Sequence, residues 1–215
     1  MSDDFSILLR LTNPCFSRRG YDFLWEDLNF EIVMIDYGLQ EPAEQDVGKL
    51  RARKLHVEDA HWRKGFSLLE AFDNDTMDIA QYYDVIFKKN GDLRERFSDE
   101  RYDIGGGMLP GDFHILETIS IDERFKGHDI AREATAVYLE SFARGDDAVF
   151  FKAFPLQYDA KTEAGDLHRS FVGSFNACQS RLCKYYERIG FSRVGTTPYF
   201  FFAAGTFLDR MNEDE

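Results

Sequence analysis

Between residues 114 and 142 the hydrophobic pattern changes from that of a strand to that of a helix. The first part is apolar and mostly β-branched, at Ile115, Leu116, Ile119 and Ile121, as in a buried or half-buried strand. A short charged stretch and a glycine follow. Apolar residues then recur every three or four positions up to residue 142, as on one helix face. We therefore predict a strand, a tight turn and a helix, around which the rest of the chain is organised.

The residues before this unit predict strands followed by a helix pair. Segment 5–11 is a short apolar run that we interpret as an edge strand or an N-terminal arm, and 30–37 is a short β-branched run. The acidic stretch 40–46 contains a proline and predicts a loop. Segment 48–57 alternates basic and apolar residues, as a half-exposed strand does. Two stretches with helical spacing follow, at 59–72 and 77–88.

The residues after the central helix predict two more strands and a second long helix. Segment 148–154 is a buried strand ending at Pro155, and a strand–helix–strand order implies a parallel pair joined by a right-handed crossover. Segment 156–179 is long and irregular in pattern, and such segments in a compact domain are usually functional or disordered. A helix over 180–191 and an aromatic strand over 193–202 complete the pattern.

Composition narrows the classes of function. The 215-residue chain contains 21 Phe and carries a formal net charge of -13. This charge argues against a protein that binds the phosphate backbone of nucleic acid, and it suits a cationic partner or simply solubility. The three cysteines and the histidines show no metal-like spacing, so we predict no metal site. We see no signal sequence and no membrane span, and we expect a cytoplasmic protein.

The turn at Gly127 suggests a particular kind of binding. A glycine turn between a strand and a helix directs main-chain N–H groups outward at the helix N-terminus, where the macrodipole adds partial positive charge. Such a turn binds phosphate. An ordinary strand–turn–helix without a ligand explains the same residues, and this stretch taken alone slightly favours that interpretation.

Two motifs resemble the GNAT superfamily of N-acetyltransferases. Its signature after the central strand is Gln/Arg-x-x-Gly-x-Gly/Ala, and the matching run here is KGHDIA, with Lys126 first and Asp129 at the usual glycine. The second motif is SRLCKYYERIGF, which resembles the GNAT C-terminal helix with its tyrosine at Tyr186 and its terminal Gly190-Phe191 pair. Gln179 stands where asparagine is usual.

The resemblance covers about residues 112–202 and implies a fold. That fold is α/β (α+β), a mixed and mostly antiparallel sheet with a central parallel strand pair and helices on both faces. We expect one domain over 1–215. Its parts would be a variant N-terminal half (1–111), an acetyl-CoA-binding core (112–202) and a tail (203–215).

The resemblance also implies the site residues. Glu117 would remove the amine proton, and Tyr186 would donate a proton to the departing thiolate. Gln179 would contribute from the C-terminal helix. Main-chain groups of the central strand would pair with the pantetheine arm, and the turn would hold the pyrophosphate. The cofactor-binding residues are Ile119, Ser120, Ile121, Lys126, Gly127, His128, Asp129, Ile130, Ala131 and Gln179.

The implied function is transfer of acetyl from acetyl-CoA to a primary amine of a small molecule or protein. Asp129 and Gln179 favour an alternative, a GNAT-fold protein that has lost catalysis and serves in binding or regulation. A longer acyl-CoA is a further alternative. We expect no nucleic-acid or membrane partner, and leave a homodimer open.

Overall fold

The computed structural model describes residues 5–12, 15–16, 25–38, 41–57, 68–73, 77–89, 94–97, 111–155, 174–188 and 190–205. Seven strands and four α-helices lie in this part of the chain. The strands are β1 (Phe5–Leu11), β2 (Cys15–Phe16), β3 (Trp25–Asp36), β4 (Ala43–Leu55), β5 (Phe113–Ile121), β6 (Ala148–Lys152) and β7 (Tyr199–Ala203). The helices are α1 (Leu68–Asp73), α2 (Met77–Ile86), α3 (Ile130–Phe142) and α4 (Phe175–Arg188).

The seven strands form one mixed sheet. Its order is β1-β3-β4-β5-β6-β7, and β2 pairs with β3 off this path. β5 and β6 are parallel, with Phe113 opposite Ala148 and Leu116 opposite Phe151, and α3 connects them. The other pairs are antiparallel. The predicted fold class is confirmed, and so are the parallel pair and its connecting helix.

Helices cover both faces of the sheet. On one face, α3 and α4 pack over an apolar cluster that includes Phe30, Leu50, Leu116 and Tyr138. On the other face, α1 and α2 contribute to a second cluster of apolar residues, built on Trp25, Phe72, Phe113 and Phe150. The abundant phenylalanines therefore form two cores, one on each face, with β5 and β6 contributing to both.

A network of buried polar groups lies where β5 begins. Nε2 of His114 is 3.0 Å from Oδ2 of Asp147, and Nδ1 is 2.7 Å from the Tyr138 hydroxyl. Nζ of Lys54 lies 3.3 Å from Oδ2 of Asp112. The other Asp112 oxygen accepts the N–H of Val57 at 2.9 Å. These bonds satisfy polar groups that would otherwise be costly to bury, and they fix the start of the parallel pair.

Several predicted boundaries were wrong. β3 begins at Trp25 rather than Phe30, and β4 begins at Ala43, so that half of the predicted acidic loop is strand. Arg10 on β1 forms ion pairs with Glu44 and Asp46, which offset the acidity of that segment.

The C-terminal boundaries also differ from prediction. α4 begins at Phe175, inside the segment that we predicted to be irregular. The predicted strand over 193–202 is a turn followed by β7, because Gly195 adopts a positive φ of 57° and Thr197 donates its N–H to Val194. Gly190 has a φ of 97°, as expected for a residue that terminates a helix.

Some predictions fall outside the described residues. These are the first part of the helix predicted over 59–72, most of segment 156–179 and the tail from 206. Cys178 and Cys183 lie in α4 as buried free thiols. None of the described helices is long and apolar enough to cross a membrane.

Candidate functional site

An open cleft separates β5 from β6 at the centre of the sheet. Parallel pairing ends at Leu116 and Phe151, although both strands continue beyond that pair. The cleft that opens there is small and open to solvent. Its lining comes from β5, from the end of β6 and from α4: Leu116, Glu117, Thr118, Ile119, Phe151, Lys152, Phe154 and Tyr186.

A β-bulge places Glu117 at the mouth of this cleft. Arg51 of β4 is opposite Thr118, whereas the next residue, Ala52, is opposite Leu116. Glu117 is therefore the extra residue on β5. Bulges bend a strand and redirect a side chain, and they are frequent beside active sites. The bulge coincides with the end of the parallel pairing, so β5 turns from its partner where the cleft begins.

The surroundings of Glu117 are polar as well as apolar. Its side chain is 29 % exposed, and Oε2 lies 3.8 Å from a terminal nitrogen of Arg51. The Arg51 guanidinium is held by the Asn29 side chain, to which Nε donates at 3.1 Å. The apolar residues around Glu117 on β5 do not alone determine its surroundings. The structure also places a cation beside this carboxylate, and the residue as a whole is exposed.

Tyr186 reaches the cleft from α4. Its ring packs against Phe151 with centroids 4.7 Å apart, and it also contacts Phe191 and Phe200. Burial raises the pKa of its hydroxyl well above the usual value, so the group keeps its proton. That hydroxyl has no hydrogen-bond partner among the described residues. Its neighbour Tyr185 stacks on Arg188, whereas Tyr186 packs among aromatic rings, so the two tyrosines differ in their surroundings.

Main-chain N–H groups are available at the N-terminus of α3. The first hydrogen bonds of this helix run from the N–H groups of Arg132 and Glu133 to the Asp129 carbonyl. From Gly127 to Ala131, the N–H groups have no partner within the part of the chain that the structure describes. Gly127 has a φ of 89°, which glycine adopts without strain. The turn therefore has unpaired N–H groups of the kind that an anion could bind, and its role in binding phosphate stays a prediction.

Asp129 has an unusual conformation in this turn. It is the one residue other than glycine with a positive φ among those described, at φ 51° and ψ 14°. Its side chain makes no capping bond to α3. The carboxylate is one of the charges that raise the pKa of Tyr185, after burial of that hydroxyl. A negative charge therefore lies close to the predicted anion site.

Two further predicted residues have partners within the protein. Lys126 forms an ion pair with Glu123 at 2.7 Å, and both side chains are exposed. Gln179 donates from Nε2 to the Ala153 carbonyl at 3.0 Å, which ties α4 to the end of β6. Their roles in cofactor binding stay predictions. Gln179 clearly helps to hold α4, and with it Tyr186, beside the cleft.

Two cations at the site, Arg51 and Lys152, were not predicted from the sequence. The basic face of 48–57 was recognised, but nothing distinguished Arg51 from its neighbours until the bulge placed it beside Glu117. Lys152 ends the otherwise apolar strand AVFFK, and this break in pattern was the available signal. Within the described ranges, no group of three or more His, Cys, Asp or Glu side chains is arranged to hold a metal ion.

Comparison with known proteins yields no family. No family model matches the chain, and no curated protein matches it. One similar solved structure is a complex of KacTA with DNA, with 10 % identity, a TM-score of 0.41 and coverage of 99 % of this chain and 100 % of that one. Another is AtaTR bound with AcCoA, with 11 % identity, a TM-score of 0.36 and coverage of 97 % and 99 %. Likenesses this weak decide nothing about the site.

Proposed function

We propose that the protein is an acetyl-CoA-dependent N-acetyltransferase that acts on a primary amine by direct transfer. The observation that carries the proposal is the path of open main-chain groups along β5. This path begins at the bulge at Glu117 and ends at the N-terminus of α3. An extended thioester that ends in a pyrophosphate fits such a path.

The cofactor would lie along β5 as an added strand. Beyond Leu116, the edge of β5 that faces β6 has no strand partner among the described residues. Amides of the pantetheine arm would pair with Ile119 and Ile121, on either side of Ser120. The pyrophosphate would accept hydrogen bonds from the N–H groups between Gly127 and Ala131, with charge from Lys126.

The chemistry is an attack by the amine nitrogen on the thioester carbonyl carbon. A C–N bond forms, the C–S bond breaks, and the CoA thiolate leaves. Glu117 would take the proton that the ammonium loses, directly or through water. Tyr186 would donate its proton, or a hydrogen bond, to the thiolate. No covalent enzyme intermediate is needed when both substrates are held in near-attack geometry.

Isothermal titration with acetyl-CoA tests this proposal, with mass spectrometry of any ligand that copurifies. Saturating acetyl-CoA should also stabilise the protein, by about 2.7 kcal/mol at a hundredfold excess over Kd. Removal of the 3′-phosphate from CoA should weaken binding less than removal of the pyrophosphate. Absence of binding in titration and thermal shift would contradict the proposal.

Asp129 favours a second candidate, a protein of this fold that has lost catalysis and serves in binding or regulation. Its carboxylate lies beside the site proposed for the pyrophosphate and would weaken anion binding. Acetyl-CoA binding without turnover on any amine would support this candidate. A longer acyl-CoA is a further variant, because aromatic residues line the cleft, and the mass of a copurified ligand would identify it.

Partners follow from the proposed chemistry. The acceptor is an amine on a small molecule or a protein, and we propose no membrane partner. We also propose no nucleic-acid partner, because the chain carries a net charge of -13. One of the matched structures contains DNA, but at a TM-score of 0.41 that likeness carries no argument here.

A further inference from the structure

Two cations lie on either side of Glu117 on one face of the sheet. Arg51 is on β4, next to the bulge, and Lys152 is on β6, across the cleft. The Lys152 ammonium lies 3.0 Å from Oε1 of Gln81, a residue of α2. It also lies 5.5 Å from the centre of the Tyr199 ring. Both contacts place this ammonium on the face of the sheet that α2 covers.

The contacts of Arg51 place it on the same face. Arg51 is opposite Asn29 in the register of β3 and β4, and their side chains are hydrogen-bonded. Cross-strand partners share a face of the sheet, and residues two apart on a strand do as well. Arg53 lies over the Trp25 ring, within the apolar cluster of the α2 face, and Arg51 is two residues away.

The geometry of Arg51 favours an incoming anion. Asn29 holds Nε and so orients the guanidinium, whose side chain is nevertheless 61 % exposed. The 3.8 Å separation from Glu117 is too long for a hydrogen bond. An exposed ion pair at this distance adds little stability, so it does not explain why the arginine is held there. The terminal N–H groups retain the fork geometry that binds a carboxylate at two points.

Local charge at the cleft differs from that of the whole protein. The chain has 39 acidic and 26 basic residues, yet two cations flank the one carboxylate that lines the cleft among the described residues. An amine with no other charge, or a polycation, would bring its positive charge between Arg51 and Lys152. An amine that carries a carboxylate would place its ammonium at Glu117 and its carboxylate on these cations.

We infer that the acceptor is an amino acid, meaning a small molecule that carries both the reacting amine and a carboxylate. Arg51 is the principal specificity-determining residue and Lys152 supplies further positive charge. This inference rests on the proposed acetyl transfer and adds the class of its acceptor.

The test compares amino acids with their carboxamides as acceptors of acetyl from acetyl-CoA. The amide keeps the side chain and the amine but lacks the negative charge, and its amine is less basic, so its intrinsic reactivity near neutral pH is not lower. We expect kcat/KM to be about ten- to a hundredfold higher for the amino acids, since hydrogen bonds to charged groups contribute this much. The readouts are CoA release and the mass of the acetylated product.

Substitutions at Arg51 test whether this residue causes the preference for amino acids over their carboxamides. Arg51→Gln should remove most of the preference, mainly by raising KM for the amino acid, while Arg51→Lys should retain part of it. Arg10→Gln is the matched control, because Arg10 is an exposed, ion-paired arginine on the edge strand β1. It should leave the preference unchanged. An unchanged affinity for acetyl-CoA will show that the Arg51 variants are folded.

The outcomes separate this inference from the proposed function. Equal or faster turnover of the carboxamides would overturn it, and so would a preference for an aminoalkyl phosphate over every amino acid. If acetyl-CoA binds but no amino acid is acetylated, the acceptor class is wrong while cofactor binding stands. If acetyl-CoA does not bind in the titration, the proposed function itself fails.

Discussion

The hydroxyl of Tyr138 lies 2.7 Å from Nδ1 of His114, and both residues are fully buried. Nε2 of the same ring lies 3.0 Å from the Asp147 carboxylate. A carboxylate only accepts hydrogen bonds, so Nε2 carries the proton and Nδ1 accepts from the tyrosine. Burial lowers the pKa of His114, which keeps the ring neutral. The three residues resemble a catalytic relay in composition, but all three are fully buried, which suits a structural role.

Tyr138→Phe should therefore lower the free energy of unfolding by about 1–3 kcal/mol, because Nδ1 of His114 loses its buried donor. Urea unfolding followed by circular dichroism measures the change. Tyr185→Phe, at a half-buried tyrosine of α4, is the control and should have a smaller effect. Equal stability of Tyr138→Phe and the wild type would show that the bond contributes nothing net.

His56 should make stability depend on pH in a particular direction. Its hydrogen bond to Asp112 raises its pKa above the ordinary 6.5, despite burial. The stabilisation is therefore complete below pH 6.5 and is lost as pH rises through the higher folded-state value. The measurement is the difference in unfolding free energy between wild type and His56→Gln from pH 5 to pH 9. The difference should shrink with rising pH as His56 loses its proton. The contribution of His114 to the pH dependence has the opposite sign, but it is the same in both proteins and cancels in the difference.

Asp112 contributes at the acidic end of the range. Burial acts to raise its pKa, but the hydrogen bond from His56 and the Lys54 ammonium outweigh it and lower the pKa from 3.8 to about 2. The resulting stabilisation is present above pH 3.8 and is lost as pH falls towards 2, by about 2 kcal/mol in all. Asp112→Asn should remove most of this loss of stability at acidic pH, as measured by the free energy of unfolding between pH 2 and pH 5. If the loss is unchanged in the variant, other carboxylates cause it.

The sequence predicted the central unit well because its elements are specified locally. β5, α3 and β6 each bury a continuous apolar face, and a strand–helix–strand order leaves one favoured hand of connection. The beginning of β4 was missed for a non-local reason. Its acidic residues read as loop, and only the pairing with β3 and the proximity of Arg10 on β1 explain why that segment is a strand.

The sequence named candidate site residues, but their arrangement in space could not be predicted from it. Motif spacing placed Glu117 and Tyr186 in the chain, and the structure brings both to one cleft. The bulge was not predictable, because it is a mismatch in register between β4 and β5 and leaves no mark in the local pattern. The positive φ of Asp129 was hidden in the same way, because aspartate is compatible with many conformations.

Asp129→Gly should preserve or strengthen binding of acetyl-CoA. It removes a carboxylate next to the proposed pyrophosphate site and relieves a left-handed conformation that glycine adopts without cost. Asp129→Asn separates the two effects, since asparagine tolerates this conformation but carries no charge. If the negative charge matters more than the backbone conformation, both variants should bind acetyl-CoA more tightly than the wild type, most clearly at low salt. A large loss of affinity in Asp129→Gly would mean that the carboxylate itself contributes to the site.

Glu117→Gln and Tyr186→Phe test the proposed mechanism directly. Each change keeps the shape of the side chain and removes one proton-transfer group, so folding and acetyl-CoA affinity should survive. Turnover should fall by about 10²–10⁴-fold, mainly in kcat. The defect of Glu117→Gln should shrink as pH rises, because more of the acceptor is then free amine.

The defect of Tyr186→Phe should not shrink in that way. Burial raises the pKa of Tyr186, so its hydroxyl remains protonated over the whole working range and acts on the thiolate at every pH. The measurement is the pH profile of kcat for wild type and both variants with an amine acceptor, and slow hydrolysis of acetyl-CoA can serve as the readout for Tyr186→Phe before an acceptor is identified. Hydrolysis reports on Tyr186 in particular, since the same thiolate departs whether water or an amine attacks. Full activity in both variants, with normal binding of acetyl-CoA, would contradict the proposed acid–base roles of Glu117 and Tyr186. Catalysis would then depend only on the positioning of the two substrates.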